Sequence, residues 1–400
     1  MQSKEIIEFL KRTDAKDFIS RYRNTHPDEV LLRMNTLTPQ ERRALATLIK
    51  IYPKAEDKIP EFLKSYPALT EKAYEQSSSE ALAQYKASLM QGKSLLNLSG
   101  GLGIDDIAFS QKFENIISLD VDEEIHEMAA FNIQQLGLNN IQRIHYDSEA
   151  FEIPLVDVIY VDPDRRVHNK RSFHLEDATP DIIRGHTHWL KKATHVFIKL
   201  SPMADLTEIK RNLKGICEIH VISLENEVKE VLVKLGQTAN HPPKTYAVIL
   251  SGVHIYTFEE GKEHEVKEAV NGIRIFAEAA AALIKANLDR EDFARLGFKR
   301  CGPHAAFYEG SNLSEILPGR AFEISAQFEF SGQKFKDYLK EHRIEKAHVK
   351  KRDFPMEPDE IKSKYHLKDG GDDYFFFYMN DQKKKMMVHG RKPVQKISLF

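Results

Sequence analysis

Cysteine is scarce: the chain of 400 residues holds two, Cys217 and Cys301. Two thiols are too few for a disulfide framework or an all-thiolate metal site, and they point to a reducing compartment. No stretch approaches the ~18 uninterrupted apolar residues that a membrane span requires. The opening segment, Met1 to Phe18, carries charges where a secretory leader needs an apolar run. Internal repeats and low-complexity linkers are missing as well. A cytoplasmic protein is expected. What remains is an ordinary globular balance, 42% hydrophobic and 30% charged, in a chain long enough for about two to four domains.

Net charge is small too, at −2. It hides an asymmetry. Residues 321–400 carry 17 Lys and Arg against 13 Asp and Glu, whereas the other 320 carry 41 against 47. A basic tail on an acidic body fits a polyanion partner or a solvated lysine-rich surface, and the count alone favours the second.

Hydrophobic spacing divides the chain. Residues 1–75 place apolar side chains three and four apart, which predicts a small helical domain interrupted at Pro53, Pro60 and Pro67. From Ser94 seven short β-branched runs follow: SLLNLS, IISLDV, IQRIHY, VDVIYV, HVFIKL, EIHVIS and YAVIL. Helical segments separate most of them, which predicts an α/β domain over 76–253 with a largely parallel sheet. After Gly252 the alternation ends. An alanine-rich, partly helical stretch predicts a small connecting α/β (ferredoxin-like) domain over 254–320. Strand, helix, strand, helix, strand from Ala321 predicts a separate α+β domain over 321–400.

Chemistry concentrates at the strand ends. The first strand runs into Asn97-Leu98-Ser99-Gly100-Gly101-Leu102-Gly103-Ile104-Asp105, a turn where the backbone can approach a ligand with no Cβ in the way. Asp106 stands where a dinucleotide fingerprint needs its last glycine, and no phosphate-loop motif occurs, so both nucleotide readings weaken. The second strand ends at Asp120, Val121 and Asp122, where a carboxylate can take ribose hydroxyls. Asp122 reads equally well as a helix N-cap. The third strand ends at Asp147 and Ser148, and the fourth at Asp162-Pro163-Asp164-Arg165-Arg166. Ligands of open parallel sheets bind outside the carboxyl ends of the strands, so these four ends outline one site.

Together these segments resemble class I S-adenosylmethionine-dependent methyltransferases. NLSGGLGID is similar to their D-x-G-x-G-x-G loop, in the D-x-T-x-G-x-G-x-D variant of RNA-modifying members. The resemblance implies a Rossmann-like seven-stranded sheet and S-adenosylmethionine as cofactor. It places cofactor contacts at Asn97, Ser99, Gly100, Gly101, Gly103, Asp105, Asp120, Val121, Asp147 and Ser148, with Asp120 on the ribose and Asp147 beside the adenine. Asp162-Pro163 matches the first half of the D/N-P-P-Y/F/R motif, which implies catalytic roles for Asp162, Pro163, Asp164 and Arg165. Other marks resemble a bacterial family of such enzymes with a THUMP-like C-terminal domain. They are Glu75 to Glu80 before Tyr85-Lys86, Asn226 to Glu230, Pro318-Gly319-Arg320, Arg352 to Pro355 and Leu367 to Gly371.

The sequence departs from that pattern in three ways. Asn97 stands where the family's acid anchors the loop, and Ser99 where glycine or threonine is common. Asp164-Arg165 replaces the proline and aromatic ring that stacks on a target base. C5 methylation of a pyrimidine would need a cysteine nucleophile beside the base, and neither Cys217 nor Cys301 is placed for it. Transfer to a base nitrogen needs only positioning and a hydrogen-bond acceptor, a role that suits Asp162.

Further polar residues suit a substrate. Arg166 and Lys170 lie in a cation run beside the site, either phosphate contacts or a solvated loop. Lys199 ends the fifth strand, either facing the pocket or carrying its ammonium to water, and Asn226 follows the sixth. In the C-terminal domain Lys351, Arg352, Lys383, Lys384 and Lys385 are interleaved with Phe354, Tyr374 and Phe375, a mixture suited to phosphates and unstacked bases. THUMP-type domains bind structured RNA, and the resemblance implies the same here, with tRNA or rRNA as partner. His186 and His188 have no third ligand nearby, so no metal is expected. The reading is an RNA base N-methyltransferase. A non-catalytic RNA-binding protein with a degenerate cofactor site and a small-molecule methyltransferase are the alternatives.

Overall fold

The computed structural model describes residues 2–164, 166–167, 170–171, 175–237, 242–252, 254–261, 274–311 and 317–393. Two compact units divide the chain, one of Met1–Ile219 with Val231–Pro243, the other of His220–Glu230 with Lys244–Phe400.

The first unit opens with helices α1 (Gln2–Leu10), α2 (Ala15–Tyr22), α3 (Pro27–Arg33) and α4 (Pro39–Ala55). Thr38 starts α4 with a capping box. Its hydroxyl accepts from Glu41 N, and the Glu41 carboxylate accepts from Thr38 N at 2.8 Å. Pro53 does not interrupt this helix as the sequence suggested. It lies inside the last turn of α4, where it removes one bond of the ladder and the helix ends two residues later. Short helices α5 (Pro60–Leu63), α6 (Glu71–Gln76) and α7 (Glu80–Ser88) lead into the sheet.

Strands β1 (Ser94–Asn97), β2 (Asn115–Asp120), β3 (Ile141–His145), β4 (Val156–Val161), β5 (Ala193–Leu200), β6 (Ile216–Leu224) and β7 (Glu227–Gly236) follow. Their order is β6-β7-β5-β4-β1-β2-β3. From β5 to β3 all neighbours pair in parallel, and β7 runs antiparallel to β5. Helices α8 (Ile104–Phe109), α9 (Glu123–Gln135), α10 (Ile182–Trp189) and α11 (Leu206–Asn212) lie between the strands in sequence. Leu96, Ile159, Tyr160, Val196 and Ile198 are fully buried, as expected of parallel strands covered on both faces. Asn132 on α9 accepts from Ala68 N at 2.7 Å and donates to Ala68 O at 3.0 Å, tying the helical opening to the sheet layer.

The sequence reading missed one strand of this sheet, β7. Glu225 and Asn226 both take positive φ, 48° and 65°, and form a two-residue turn that sends the chain straight back. Three charges among the first four residues of β7 obscured its alternation. YAVIL lies in β8 (Lys244–Ser251), which pairs antiparallel with β9 (His254–Glu259) in the second unit.

The second unit also holds β10 (Ile275–Ala279), α12 (Ala281–Ala286), α13 (Asp289–Arg295), β11 (Lys299–Gly302), β12 (Ala305–Gly310), β13 (Gly319–Glu329), α14 (Gly332–His342), β14 (His348–Arg352), α15 (Pro358–Tyr365), β15 (Asp373–Met379) and β16 (Lys385–Arg391). Their sheet runs β11-β12-β10-β13-β16-β15-β14, so strands from 254–320 and from 321–400 share one sheet. Only the β14–β15 pair at one edge is parallel. Phe335, Leu339 and Ile361 from α14 and α15 pack on Phe375 and Phe377, while Phe376 and Tyr378 join a second core on the other face. Alternation along Tyr374–Tyr378 therefore feeds two cores rather than one. Among the described residues no helix is long and apolar enough to cross a membrane.

Candidate active site at the carboxyl ends of the strands

Strand β1 delivers Asn97 fully buried, and the glycine turn wraps over it. Asn97 Oδ1 accepts from Ser99 N at 3.0 Å, and Asn97 Nδ2 donates to Asp106 Oδ1 at 2.6 Å. Gly101 and Gly103 take φ of 55° and 89°, which L side chains rarely adopt, so glycine is favoured there. Gly101 N donates to Asp120 Oδ2 at 2.7 Å, and Asp122 N donates to Asp120 Oδ1 at 2.9 Å. The end of β2 and the glycine turn are thus one hydrogen-bonded piece. Asp122 is the N-cap of α9 and pairs with Lys72 at 2.8 Å.

Beneath the turn lies a buried charge cluster. Arg143 on β3 donates to Asp106 Oδ2 at 3.1 Å, to Ser118 Oγ at 2.8 Å and to Gly101 O at 3.0 Å. Burial pushes the Asp106 carboxyl above its usual range, although Arg143, Ser118 and Asn97 oppose the shift. Asp105 behaves differently. Burial would raise it too, but Lys86 and Lys199 hold it below the ordinary value. Lys86, fully buried, reaches Asp105 Oδ1 at 2.9 Å, and Ser78 Oγ and Tyr160 OH donate to Oδ2 at 2.9 and 3.0 Å.

The same cluster reaches β4 and β5. Ser78 Oγ accepts from Lys86 at 3.2 Å and from Lys199 at 3.4 Å. Lys199 Nζ lies 2.5 Å from Asp162 Oδ2, so its ammonium is paired rather than carried to water. Asp162 N donates to Ser99 Oγ at 2.6 Å. The acid after β4 is therefore bonded to the glycine turn on one side and to a lysine on the other. Pro163 is buried, while Asp164 is exposed and pairs through its backbone with Thr179 at 2.9 and 2.8 Å.

Asp147 and Ser148 follow β3. Asp147 is exposed, and its Oδ1 accepts from Glu149 N at 2.9 Å in a local turn. Val121 is 69% exposed, and Tyr146 47%, so two apolar surfaces at adjacent strand ends are left uncovered.

Known proteins resemble this chain along most of its length. Residues 319–392 match the THUMP domain-like family model. Over 300 residues, 75% of this chain and 81% of the relative, the sequence is 24% identical to an "uncharacterized S-adenosylmethionine-dependent methyltransferase" of Mycobacterium tuberculosis, found in two strains. The crystal structure of a "putative methyltransferase" from Porphyromonas gingivalis W83 is 28% identical and superposes with a TM-score of 0.81, covering 97% of this chain and 98% of that one. The chain is an S-adenosylmethionine-dependent methyltransferase. Its sheet is the Rossmann-like one of that class, and a THUMP-like segment ends the chain.

Not every residue singled out in the methyltransferase sequence meets at these strand ends. Asn97, Ser99, Gly101, Asp105, Asp120, Asp162 and Lys199 belong to one connected network; Gly100 and Gly103 complete the turn. Arg165 lies outside the described residues, and of Arg166 and Lys170 only the backbone is described, in a short antiparallel pairing. Asn226 is a turn residue of the second unit, and its Oδ1 caps α12 by accepting from Ala281 N at 3.0 Å. Lys351 is tied to Glu357 at 2.6 Å, while Arg352 is exposed on the edge strand β14. Lys383, Lys384 and Lys385 are all exposed at the turn into β16. Phe354 and Phe375 are buried core, so they are unavailable for stacking on a base.

Sequence reasoning missed Ser78, Lys86 and Arg143. A signal existed for each. Ser78 and Lys86 stand out only as family marks, and Arg143 is the one Lys or Arg in strand β3.

Proposed function

We propose that the methyltransferase modifies a base nitrogen in a structured RNA, with Asp162 orienting the reacting amine. The observation that carries this reading is the Ser99–Asp162–Lys199 linkage, which bonds the acid of the D-P segment to the glycine turn and to a cation. Lys199 keeps one carboxylate oxygen occupied, and the other can accept an N–H. S-adenosylmethionine fits the residues present. The ideal Cβ position at Gly101 has no atom within 4 Å, so the turn offers open backbone. Both oxygens of Asp120 are fixed by backbone N–H groups and retain lone pairs for ribose hydroxyls. Val121 and Tyr146 offer apolar surface for a flat ring, and Asp147 keeps one oxygen for an exocyclic amine. When bound, the cofactor supplies an electrophilic methyl group.

RNA is favoured over a small molecule by the match to a THUMP-like segment and by the exposed run Lys383–Lys385. Lys351, Arg352, Arg166 and Lys170 are assigned to phosphate contact on the same reading. The decisive experiment incubates the protein with methyl-labelled cofactor and total cellular RNA, then digests the RNA to nucleosides. A labelled N-methylated nucleoside is expected. Label confined to small molecules, or no transfer despite cofactor binding, would replace this reading with one of its two alternatives.

A further inference from the structure

The second unit contains a cavity of about 670 Å³ to which the proposed methyl-transfer site contributes no residue. We propose that this cavity takes one unpaired nucleotide of the docked RNA, a reading that rests on RNA being the substrate. Its lining has two chemically different parts. Met386 and Cys301 supply an apolar lining beside the nearly fully buried Tyr378, and Gln327 adds an amide edge. Gln327 Nε2 donates to Tyr378 OH at 3.3 Å and to Glu309 Oε2 at 3.1 Å, while Arg274 Nε donates to Glu309 Oε1 at 3.0 Å. These bonds hold the amide and guanidinium planes in place and match the Glu309 charge with Arg274. A flat ring carrying hydrogen-bond donors and acceptors complements such a surface.

The other part is cationic. Lys299 is exposed and forms no ion pair among the described residues. Arg300 Nε donates to Ala305 O at 2.9 Å, and its Nη2 lies 3.9 Å from Asp289 Oδ2. The Arg300 side chain lines the cavity part-exposed, so its guanidinium adds positive charge beside Lys299 for an anionic ligand oxygen. A phosphate beside a nucleobase is the ligand that answers both parts. Burial pushes the Cys301 thiol up to about 12, so it stays protonated and the cavity is a binding site rather than a reactive one. Asn380 to Gln382 form part of the rim, and the chain passes from them directly into the exposed Lys383–Lys385. One RNA strand could meet both.

The test titrates nucleoside 5′-monophosphates into the full-length protein by calorimetry, with S-adenosylhomocysteine saturating so that the cofactor site is closed to them. Binding is expected, with nucleosides lacking the phosphate weaker. Lys299→Gln and Arg300→Gln should each lower affinity roughly tenfold. Arg300→Gln could disturb folding, so the exposed Lys299→Gln carries the test independently. No heat at millimolar nucleotide, or equal affinity in Lys299→Gln, overturns the proposal. Bulk RNA binding measured alongside separates the two readings. RNA affinity that persists while the nucleotide titration is silent removes the cavity alone, whereas loss of both removes the RNA reading with it.

Discussion

Asp120 is held by its own backbone surroundings, and that makes it the most direct probe of the cofactor site. Each of its oxygens accepts one backbone N–H, from Gly101 and from Asp122. Removing the carboxylate takes away the proposed ribose acceptor and loosens the turn at the same time. Asp120→Ala should weaken binding of S-adenosylhomocysteine by roughly 1.5–3 kcal/mol, the worth of hydrogen bonds to a charged group. Calorimetry measures it, and unchanged affinity in a folded variant would move the ribose site elsewhere. Asp292 reports on pH instead. Burial raises its pKa to about 6, with Arg295 opposing and Glu291 and Asp289 adding to the shift. The folded state therefore holds this proton more tightly than the unfolded chain, whose value is about 3.9. The resulting stability is present below about pH 4 and lost as pH rises through about 6. Asp292→Asn carries no such charge. The melting temperature of the variant relative to the natural protein should rise between about pH 5 and pH 7.5, and a flat difference across that range counts against the assignment.

The glycine turn shows how one element depends on its floor. A Cβ at Gly100 would lie 1.8 Å from Arg143 Nη1 and 2.3 Å from Ser118 Oγ, so alanine there must push the guanidinium off Asp106. Breaking a buried ion pair costs roughly 3–5 kcal/mol. Gly101 has open space around its ideal Cβ but a φ of 55°, so alanine there meets only backbone strain of about 1–2 kcal/mol. Thermal unfolding should rank the natural protein above Gly101→Ala and Gly101→Ala above Gly100→Ala. The reverse order would mean that Arg143 does not support the turn. Most elements were legible before the fold was known, because period and turn residues specify them locally. The exceptions include β10, which read as part of an alanine-rich, partly helical stretch, β16, and β7, where Glu227, Lys229 and Glu230 interrupt the alternation that marks a strand. The place of β7 between β5 and β6 depends on pairing partners far away in sequence, which no local pattern encodes.

For the whole molecule, the question is whether the lysines of the second unit dock RNA as proposed. Lys383, Lys384 and Lys385 are exposed, and Lys384 has only a loose contact of 3.6 Å with Glu329. Their reversal to glutamate should cost little stability, as surface pairs contribute little. It should weaken RNA binding across sequences and flatten its salt dependence, since each lost phosphate contact releases about one counterion fewer. Affinity for S-adenosylhomocysteine should stay unchanged, because none of the three residues belongs to the proposed cofactor site. Filter binding over a salt series reads the first effect and calorimetry the second. RNA affinity that survives the reversal would leave these lysines as solvated surface.

The strand ends and their acids could be read from residue order alone, because a parallel sheet places the carboxyl ends of its strands on one side. Asn97, the glycine turn, Asp120 and Asp162 were found in that way. Pairing was a different matter. That Lys199 closes on Asp162, that Lys86 lies buried against Asp105, and that Arg143 underlies Gly101 are facts of residues from 19 to 42 positions apart. Such contacts arise when burial forces charges to find partners, and burial is a property of the packed fold. The same holds for what was lost on packing. Asn226 caps a helix, and Phe354 and Phe375 fill a core. Composition offered each of them to a ligand, and tertiary structure used them for the fold.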